Sequence, residues 1–224
     1  VSFSYFLGKI HSDVARKFLA FAAMALVSAI CVPLSQMVIR SYLVHEYNAT
    51  YAGYWEAMIR LSTAYLMLVT TTLSVYYLPR LSELSNIQEI KKEVYLGYKF
   101  IFPLALIGGI LVYFLKDWII PLLFSSAFLP MRELFLWQMI GDSLKIGSWI
   151  LAYLMLGKAM TKLFISTEII FVCVYIVLTY ACTQIWGFKG VSIAHFVNYA
   201  LYWSVMGYFV FTVLKDRENC FGKE

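Results

Sequence analysis

Charge is scarce in this sequence. Only 14% of its 224 residues are Asp, Glu, Lys or Arg, against about 25% in ordinary soluble domains. A water-facing surface is not covered so thinly, so much of this surface must face lipid. Cysteine is sparse as well: Cys31, Cys173 and Cys182 fall in apolar runs and Cys220 in a polar tail. No CxxC or Cys/His cluster occurs, which leaves no support for a zinc site or a disulfide framework. GxSxG, HExxH and a phosphate-cradling loop are missing. So is the acidic cluster that a metal-dependent transferase needs. The expectation is a protein that is not an enzyme and uses no cofactor. The chain opens on Val1 without an n-region and cleavage site, so no signal peptide is read, and a segment of a longer protein is expected.

Apolar residues take the place of the missing charge. They make up 62% of the chain and include 17 Phe, 17 Tyr and 6 Trp. Aromatics in such numbers suit a protein with two membrane interfaces to decorate. A bilayer core needs about 20 apolar residues per helix. Six runs meet that need: 18–43, 53–78, 98–115, 134–156, 163–184 and 191–214. The expected fold class is therefore all-α, an integral membrane bundle of six transmembrane helices, with a lead-in at 1–17 and a tail at 215–224. Leu84, Ile87, Ile90 and Val94 recur at helical spacing between the second and third runs, which predicts a surface helix. Lys116 to Glu133, with Pro121 and Pro130, reads as an interfacial or re-entrant loop. Pro33 and Pro103 lie inside runs, where they predict kinks.

The net charge of +5 does not call for a nucleic-acid partner, because the basic residues sit between apolar runs. With a cytoplasmic N-terminus, twelve of the 18 Lys and Arg residues fall on the cytoplasmic side. Lys116, Arg132 and Lys189 alone fall on the other side. That bias predicts both ends of the chain in the cytoplasm. Asn48-Ala49-Thr50 fits a glycosylation sequon, a pattern common by chance.

Six charges lie inside the runs: Arg40, Glu56, Arg60, Asp142, Lys145 and Glu168. Each costs about 2.5–3.5 kcal/mol at mid-bilayer on insertion scales, so each needs a partner or a wet cavity. Asp142 and Lys145 are three residues apart near the middle of the fourth run, on one helical face. Two readings stand: mutual neutralisation that locks packing, or the lining of a polar cavity for an anionic or sugar-bearing substrate. Gly141 and Gly147 flank them and allow close helix approach. Glu56 and Arg60 share a face and read as a local pair near a helix end. Arg40 either snorkels or binds an anion such as diphosphate. Glu168 is either a silent protonated carboxyl or a coupling site for protons or sodium. His195 reads as a hydrogen-bonding core residue.

Gly53-Tyr-Trp-Glu, Ala64-Tyr-Leu66 and Leu73-Ser-Val-Tyr-Tyr-Leu-Pro-Arg-Leu81 resemble Wzx-type polysaccharide flippases. The stretch Met131-Arg-Glu-Leu-Phe-Leu-Trp-Gln-Met-Ile-Gly-Asp-Ser-Leu-Lys-Ile-Gly147 resembles them more strongly. These flippases belong to the multidrug/oligosaccharidyl-lipid/polysaccharide exporter superfamily. The likeness is greatest to the branch that moves lipid III for enterobacterial common antigen, or O-antigen units. It implies two six-helix bundles, of which these spans are the second, so the N-terminal half of the same protein is an implied partner. The implied cargo is an undecaprenyl-diphosphate-linked glycan, moved from the cytoplasmic to the periplasmic leaflet of the bacterial inner membrane. A glycan polymerase and a chain-length regulator are further implied partners. Arg40, Asp142, Lys145 and Glu168 match the branch's pattern, whereas Glu56 and Arg60 depart from it and are candidates for tuning sugar preference. In this reading Arg40 and Lys145 attract the anionic cargo, Asp142 orients Lys145, and Glu168 senses the coupling ion. The rival functions are a drug/cation antiporter and a membrane glycan polymerase or ligase.

Overall fold

The computed structural model describes residues 12–221, so the expectations for residues 1–11 and 222–224 lie outside the described residues. Among the described residues every regular element is helical. The helices are α1 (Ser12–Glu46), α2 (Ala49–Thr72), α3 (Leu78–Glu83), α4 (Ile87–Leu96), α5 (Phe102–Leu123), α6 (Arg132–Gly157), α7 (Thr161–Trp186) and α8 (Gly190–Phe221). Five helical stretches are long and apolar enough to cross a bilayer: Phe18–Glu46, Ala49–Glu83, Ile87–Leu123, Ser126–Gly157 and Thr161–Thr212. The last contains both α7 and α8, joined by a tight 3-10 turn at Gly187–Lys189. These two helices fold back on each other, since Phe171 meets Tyr202 and Tyr175 meets His195. The protein is thus an all-α, multi-pass membrane bundle.

α6 is its axis. Of its apolar window 67% is buried, against 11% to 33% in the other stretches. Cross-helix pairs define the register around it. Ser62, Tyr65 and Ser74 of the second stretch meet Gln138, Asp142 and Tyr153 in the same order. Ser192 and His195 of α8 meet Gln138 and Asp142 likewise. Hence α2, α6 and α8 run parallel, as alternate spans of a serpentine chain must. α1, by contrast, leaves large apolar side chains exposed on several sides, among them Phe18, Leu26, Leu34 and Met37. In water such a helix would aggregate.

Aromatic rings close one end of the bundle. Tyr51 packs edge-on to Phe188 at 4.8 Å, and Tyr54 does the same to Phe128 at 5.4 Å. The Tyr54 hydroxyl donates to the Ala127 carbonyl at 2.9 Å. The connections α1–α2, α5–α6 and α7–α8 therefore share one side. Asn48 of the sequon caps α2 by accepting from the Thr50 and Tyr51 amides.

Several boundaries differ from the sequence expectation. Beyond the second run, 53–78, the chain stays helical through Pro79 to Glu83. A π-turn at Leu73–Tyr77 precedes it, with the Leu78 amide reaching Leu73 O. A second π-turn at Gly97–Ile101 precedes Pro103 in the same way, with the Phe102 amide reaching Gly97 O. In both places the wide turn comes immediately before a residue that lacks an N–H, so the helix continues past proline. The predicted surface helix exists as α4, which buries Ile90 and Val94. It runs through the π-turn straight into α5. Lys116 to Leu123 is also helix rather than loop. Lys116 lies 4.0 Å from the Tyr113 ring centre, and Arg132 grips both oxygens of Asp117 at 2.9 and 3.1 Å. With these charges held locally, α5 can continue through them.

The α7–α8 turn depends on Gly190, whose added Cβ would lie 2.3 Å from the Cys182 carbonyl oxygen. Gly190→Ala should therefore lower stability by about 1–3 kcal/mol. Gly207→Ala, where nothing lies within 4 Å, should leave it nearly unchanged. Thermal unfolding in detergent of the protein from its complete reading frame will check both.

Candidate functional site in the membrane core

A partly open cavity of about 400 Å³ enters the bundle between α1, α2, α6, α7 and α8. Its walls carry Ser35, Gln36, Ser62, Gln138, Asp142, Lys145, Glu168, His195 and Asn198. Polar groups at this depth are rare and functional by default. Trp55, Trp149, Tyr175, Tyr199 and Tyr202 supply the aromatic part of the lining. Those two tryptophans are thus cavity walls.

Asp142 is the deepest charge, with no exposed surface. Its two oxygens take three donors. Tyr65 Oη donates to Oδ2 at 3.0 Å. Gln138 Nε2 donates to Oδ1 at 3.2 Å, and His195 Nε2 lies 3.0 Å from the same oxygen. An ionised carboxylate has no proton to give, so His195 donates through Nε2. Gln138 is itself held by Ser62 and Ser192 at 3.3 Å each. The result is a buried network tying α2, α6 and α8 together. Gly141 makes it reachable: a Cβ there would lie 2.4 Å from His195 Cδ2 and 3.2 Å from Phe196 Cα. Only a glycine lets α8 come close enough for His195 to meet the carboxylate.

Lys145 faces aromatic rings rather than Asp142. Its ammonium makes no ion pair with Asp142 within bonding distance among the described residues. It lies over aromatic faces instead, 4.8 Å from the Trp149 ring centre and 5.8 Å from that of Tyr199. The reason is competition. Asp142 is already filled by Tyr65, Gln138 and His195, so the flexible lysine stem swings toward the rings, where a cation gains about 0.5–2 kcal/mol. Asp142 acts on Lys145 as a longer-range attraction. Glu168 enters the same cavity from α7, half-buried and in the electrostatic neighbourhood of Tyr199 and Tyr202.

Arg40, Glu56 and Arg60 do not line this cavity. They form a separate cluster nearer one end of α1 and α2. Glu56 accepts from Arg60 at 2.7 Å and from Arg40 at 3.2 Å. The i,i+4 pair was legible in sequence; the cross-helix contact with Arg40 was not. Both arginine side chains are largely exposed, at 61% and 74%. Gln36 lies one turn before Arg40 and Ile59 directly precedes Arg60. Both line the cavity, so the cluster sits beside its rim. Among the described residues no group of three His, Cys, Asp or Glu side chains could hold a metal ion.

Sequence marks His195 as a hydrogen-bonding core residue, in agreement with its burial and its bond to Asp142, but gives no sign of which residue is its partner. The two residues are 53 positions apart, and only the α6–α8 register brings them together. A double-mutant cycle on Asp142→Asn and His195→Ala, read by unfolding in detergent, should give a coupling of about 0.5–3 kcal/mol. Arg60→Ala, in an exposed pair, should cost no more than about 1 kcal/mol.

No family model matches the chain, and no solved structure matches it. It is similar to two curated proteins named lipid III flippase, from Escherichia coli K12 and Shigella flexneri. Each is 31% identical over 205 residues, covering 92% of this chain. The chain spans about half the length of these relatives, 49% of each. The sequence thus carries, across nearly all of its length, the likeness of a Wzx-type flippase.

Proposed function

We propose that this chain forms one half of a flippase. Its cargo is an oligosaccharide carried on undecaprenyl diphosphate, moved from the cytoplasmic to the periplasmic leaflet of the bacterial inner membrane. The observation that carries the reading is the polar cavity inside an otherwise apolar bundle. A sugar head group cannot cross hydrocarbon without partners for its hydroxyls, whereas its lipid tail can stay in the bilayer. A cavity with acids, a base, amides and aromatic walls supplies those partners. The relatives named lipid III flippase support the choice of cargo.

In this reading the N-terminal half of the same protein covers the exposed face of α1 and completes the cavity. Both ends of this segment face the cytoplasm, which puts the aromatic cap at the periplasmic side. Arg40 and Arg60 wait beside the rim for the diphosphate, with Glu56 holding both guanidinium groups in place. Glu168 couples transport to protons or sodium. The two halves rock about the cavity to give alternating access. The cargo passes to a glycan polymerase working with a chain-length regulator. A drug/cation antiporter is less well supported, because a base accompanies the acids. A polymerase or ligase is disfavoured by the short connections between described helices.

The test is complementation. In a bacterium whose own flippase for this cargo is deleted, the protein from its complete reading frame should restore surface glycan. Asp142→Asn, at matched membrane level, should lower that glycan by about tenfold or more. A well-expressed wild type that restores nothing would overturn the proposal.

A further inference from the structure

The third helical stretch is longer than the bilayer is thick. Ile87–Leu123 is one rod of 37 residues, about 55 Å long at about 1.5 Å per residue, against about 30 Å of hydrocarbon. No residue of this rod lines the cavity. Its Gly109 packs on Met139 and Ser143 of α6. On the opposite side Phe100, Leu104, Ile107, Leu111 and Phe114 are each at least half exposed. They recur at helical spacing and form one apolar stripe that faces lipid. Trp118, 78% exposed, marks one interface at the end of this stripe. Phe100 stands about 27 Å before it along the axis, which puts the other interface at Phe100.

Lys92, Tyr95 and Lys99 crown the stripe at that level, all exposed. The π-turn at Gly97–Ile101 aims them. Tyr98 turns inward to bond the Gly147 carbonyl and Trp203, and Gly97 lies tight against Ile150 of α6. Lys99 and Phe100 are thereby sent outward. The wide turn takes up an extra residue, so Tyr95 and Phe100, five apart, stand one above the other. The Lys99 ammonium lies 5.5 Å from the Phe100 ring centre. Neither Lys92 nor Lys99 forms an ion pair among the described residues: Glu83 and Glu93 belong to Arg80, and Glu89 lies a turn farther from the bilayer. Two cations about 10 Å apart along the axis thus stand without counter-charge, with two exposed rings between them and an apolar track beneath.

We infer that Lys92, Tyr95, Lys99 and Phe100 form a binding site for an anionic phospholipid of the surrounding bilayer. Its phosphate sits between the two ammonium groups, reached by their flexible stems. The Tyr95 hydroxyl donates to the headgroup, and an acyl chain runs down Leu104 and Ile107. Water alone would solvate two lysines, but it gives no reason for rings to stand exposed between them. A zwitterionic lipid brings its own cation close to the lysines and is disfavoured. A soluble anion matches the charge and leaves the apolar track bare. The site is apart from the cavity, so the inference stands whatever cargo the chain serves. Each lysine near an anionic surface contributes about fivefold to lipid association.

The experiment uses the protein from its complete reading frame, in vesicles of equal parts phosphatidylglycerol and phosphatidylcholine with the same acyl chains. Leu104→p-benzoylphenylalanine places a photo-crosslinker on the track. Leu115→p-benzoylphenylalanine places one near the opposite interface as the reference. The readout is the ratio of phosphatidylglycerol to phosphatidylcholine adducts by mass spectrometry. With the native lysines that ratio should be about tenfold higher at position 104 than at 115. Lys92→Gln and Lys99→Gln together should bring it to parity at unchanged thermal stability, and Lys92→Arg with Lys99→Arg should keep it. Soluble glycerol phosphate at millimolar concentration should leave it unchanged. Equal ratios at the two positions with the native lysines overturn the inference, and so does a preference that survives the double glutamine substitution. Loss of the preference to soluble glycerol phosphate overturns the assignment to a lipid.

Discussion

A fully buried carboxylate sets the terms for this bundle. Asp142 has no contact with solvent, and hydrocarbon offers it nothing. Its charge is tolerable only if protein donors replace the lost water. Three do so, from α2, α6 and α8. Because hydrogen bonds tolerate only a few tenths of an ångström, they fix the relative height and rotation of three helices at once. The parallel packing of α2, α6 and α8 follows. So does the need for glycine at position 141, where any side chain would push His195 away. Removing the charge would relax a requirement that now holds in one register only. A bundle of apolar helices alone has many near-equivalent ways to pack, since lipid is as apolar as leucine.

The same network decides what remains free. With Asp142 filled, Lys145 and Glu168 are left to face the cavity. This is how a single helix face carries an acid that is structural and, one turn on, a base that is available. The π-turns at Leu73–Tyr77 and Gly97–Ile101 add to the picture at the other end of the bundle. They let the second and third stretches pass proline without breaking. Tyr98, inside the second of these turns, donates to the Gly147 carbonyl at 2.7 Å and accepts from Trp203 Nε1 at 2.8 Å. A local irregularity in the third stretch therefore anchors α6 and α8 below the cavity. π-turns often mark functional places in helices, and here one supplies a cross-link that a regular turn would rotate away.

Hydropathy made the helices legible, because a bilayer-spanning run is a long-range average that single residues barely disturb. It failed at Lys116–Leu123. There a lysine, an aspartate and a proline lowered the average, although Tyr113 and Arg132 hold both charges in place. It could not see α4 and α5 as one continuous rod, since a π-turn leaves no mark on hydropathy. Charge arithmetic brought out Asp142 and Lys145, and helical spacing correctly placed them on one face. Spacing also paired Glu56 with Arg60. The failures were contacts between helices: His195 with Asp142, Arg40 with Glu56. Such contacts depend on register: the close approach that Gly141 allows is legible in sequence, but not that His195 and Phe196 of α8 are what approaches.

The separation of the two charge groups has a mechanical consequence. A lipid-linked sugar is anchored at a fixed depth by its tail, and its diphosphate lies at the junction of tail and head. The head can reach inward while the diphosphate stays near the rim. A bundle that serves such a molecule needs exposed, mobile cations where the diphosphate enters and a buried, selective surface where the sugars go. Under the proposed function Arg40 and Arg60 would meet the first need, because exposed guanidinium groups exchange partners at little cost. Under the same proposal the cavity around Lys145 would meet the second, because a desolvated site discriminates sharply between a ligand that fills its bonds and one that does not. Glu56 holds both arginines at that end. If all six charges shared one compartment they would neutralise each other, and the site would be stable but closed to any cargo. Placing the Asp142–His195 pair in the helix core, the arginines toward one end and Lys145 beyond Asp142 on the other side keeps these charges from cancelling one another.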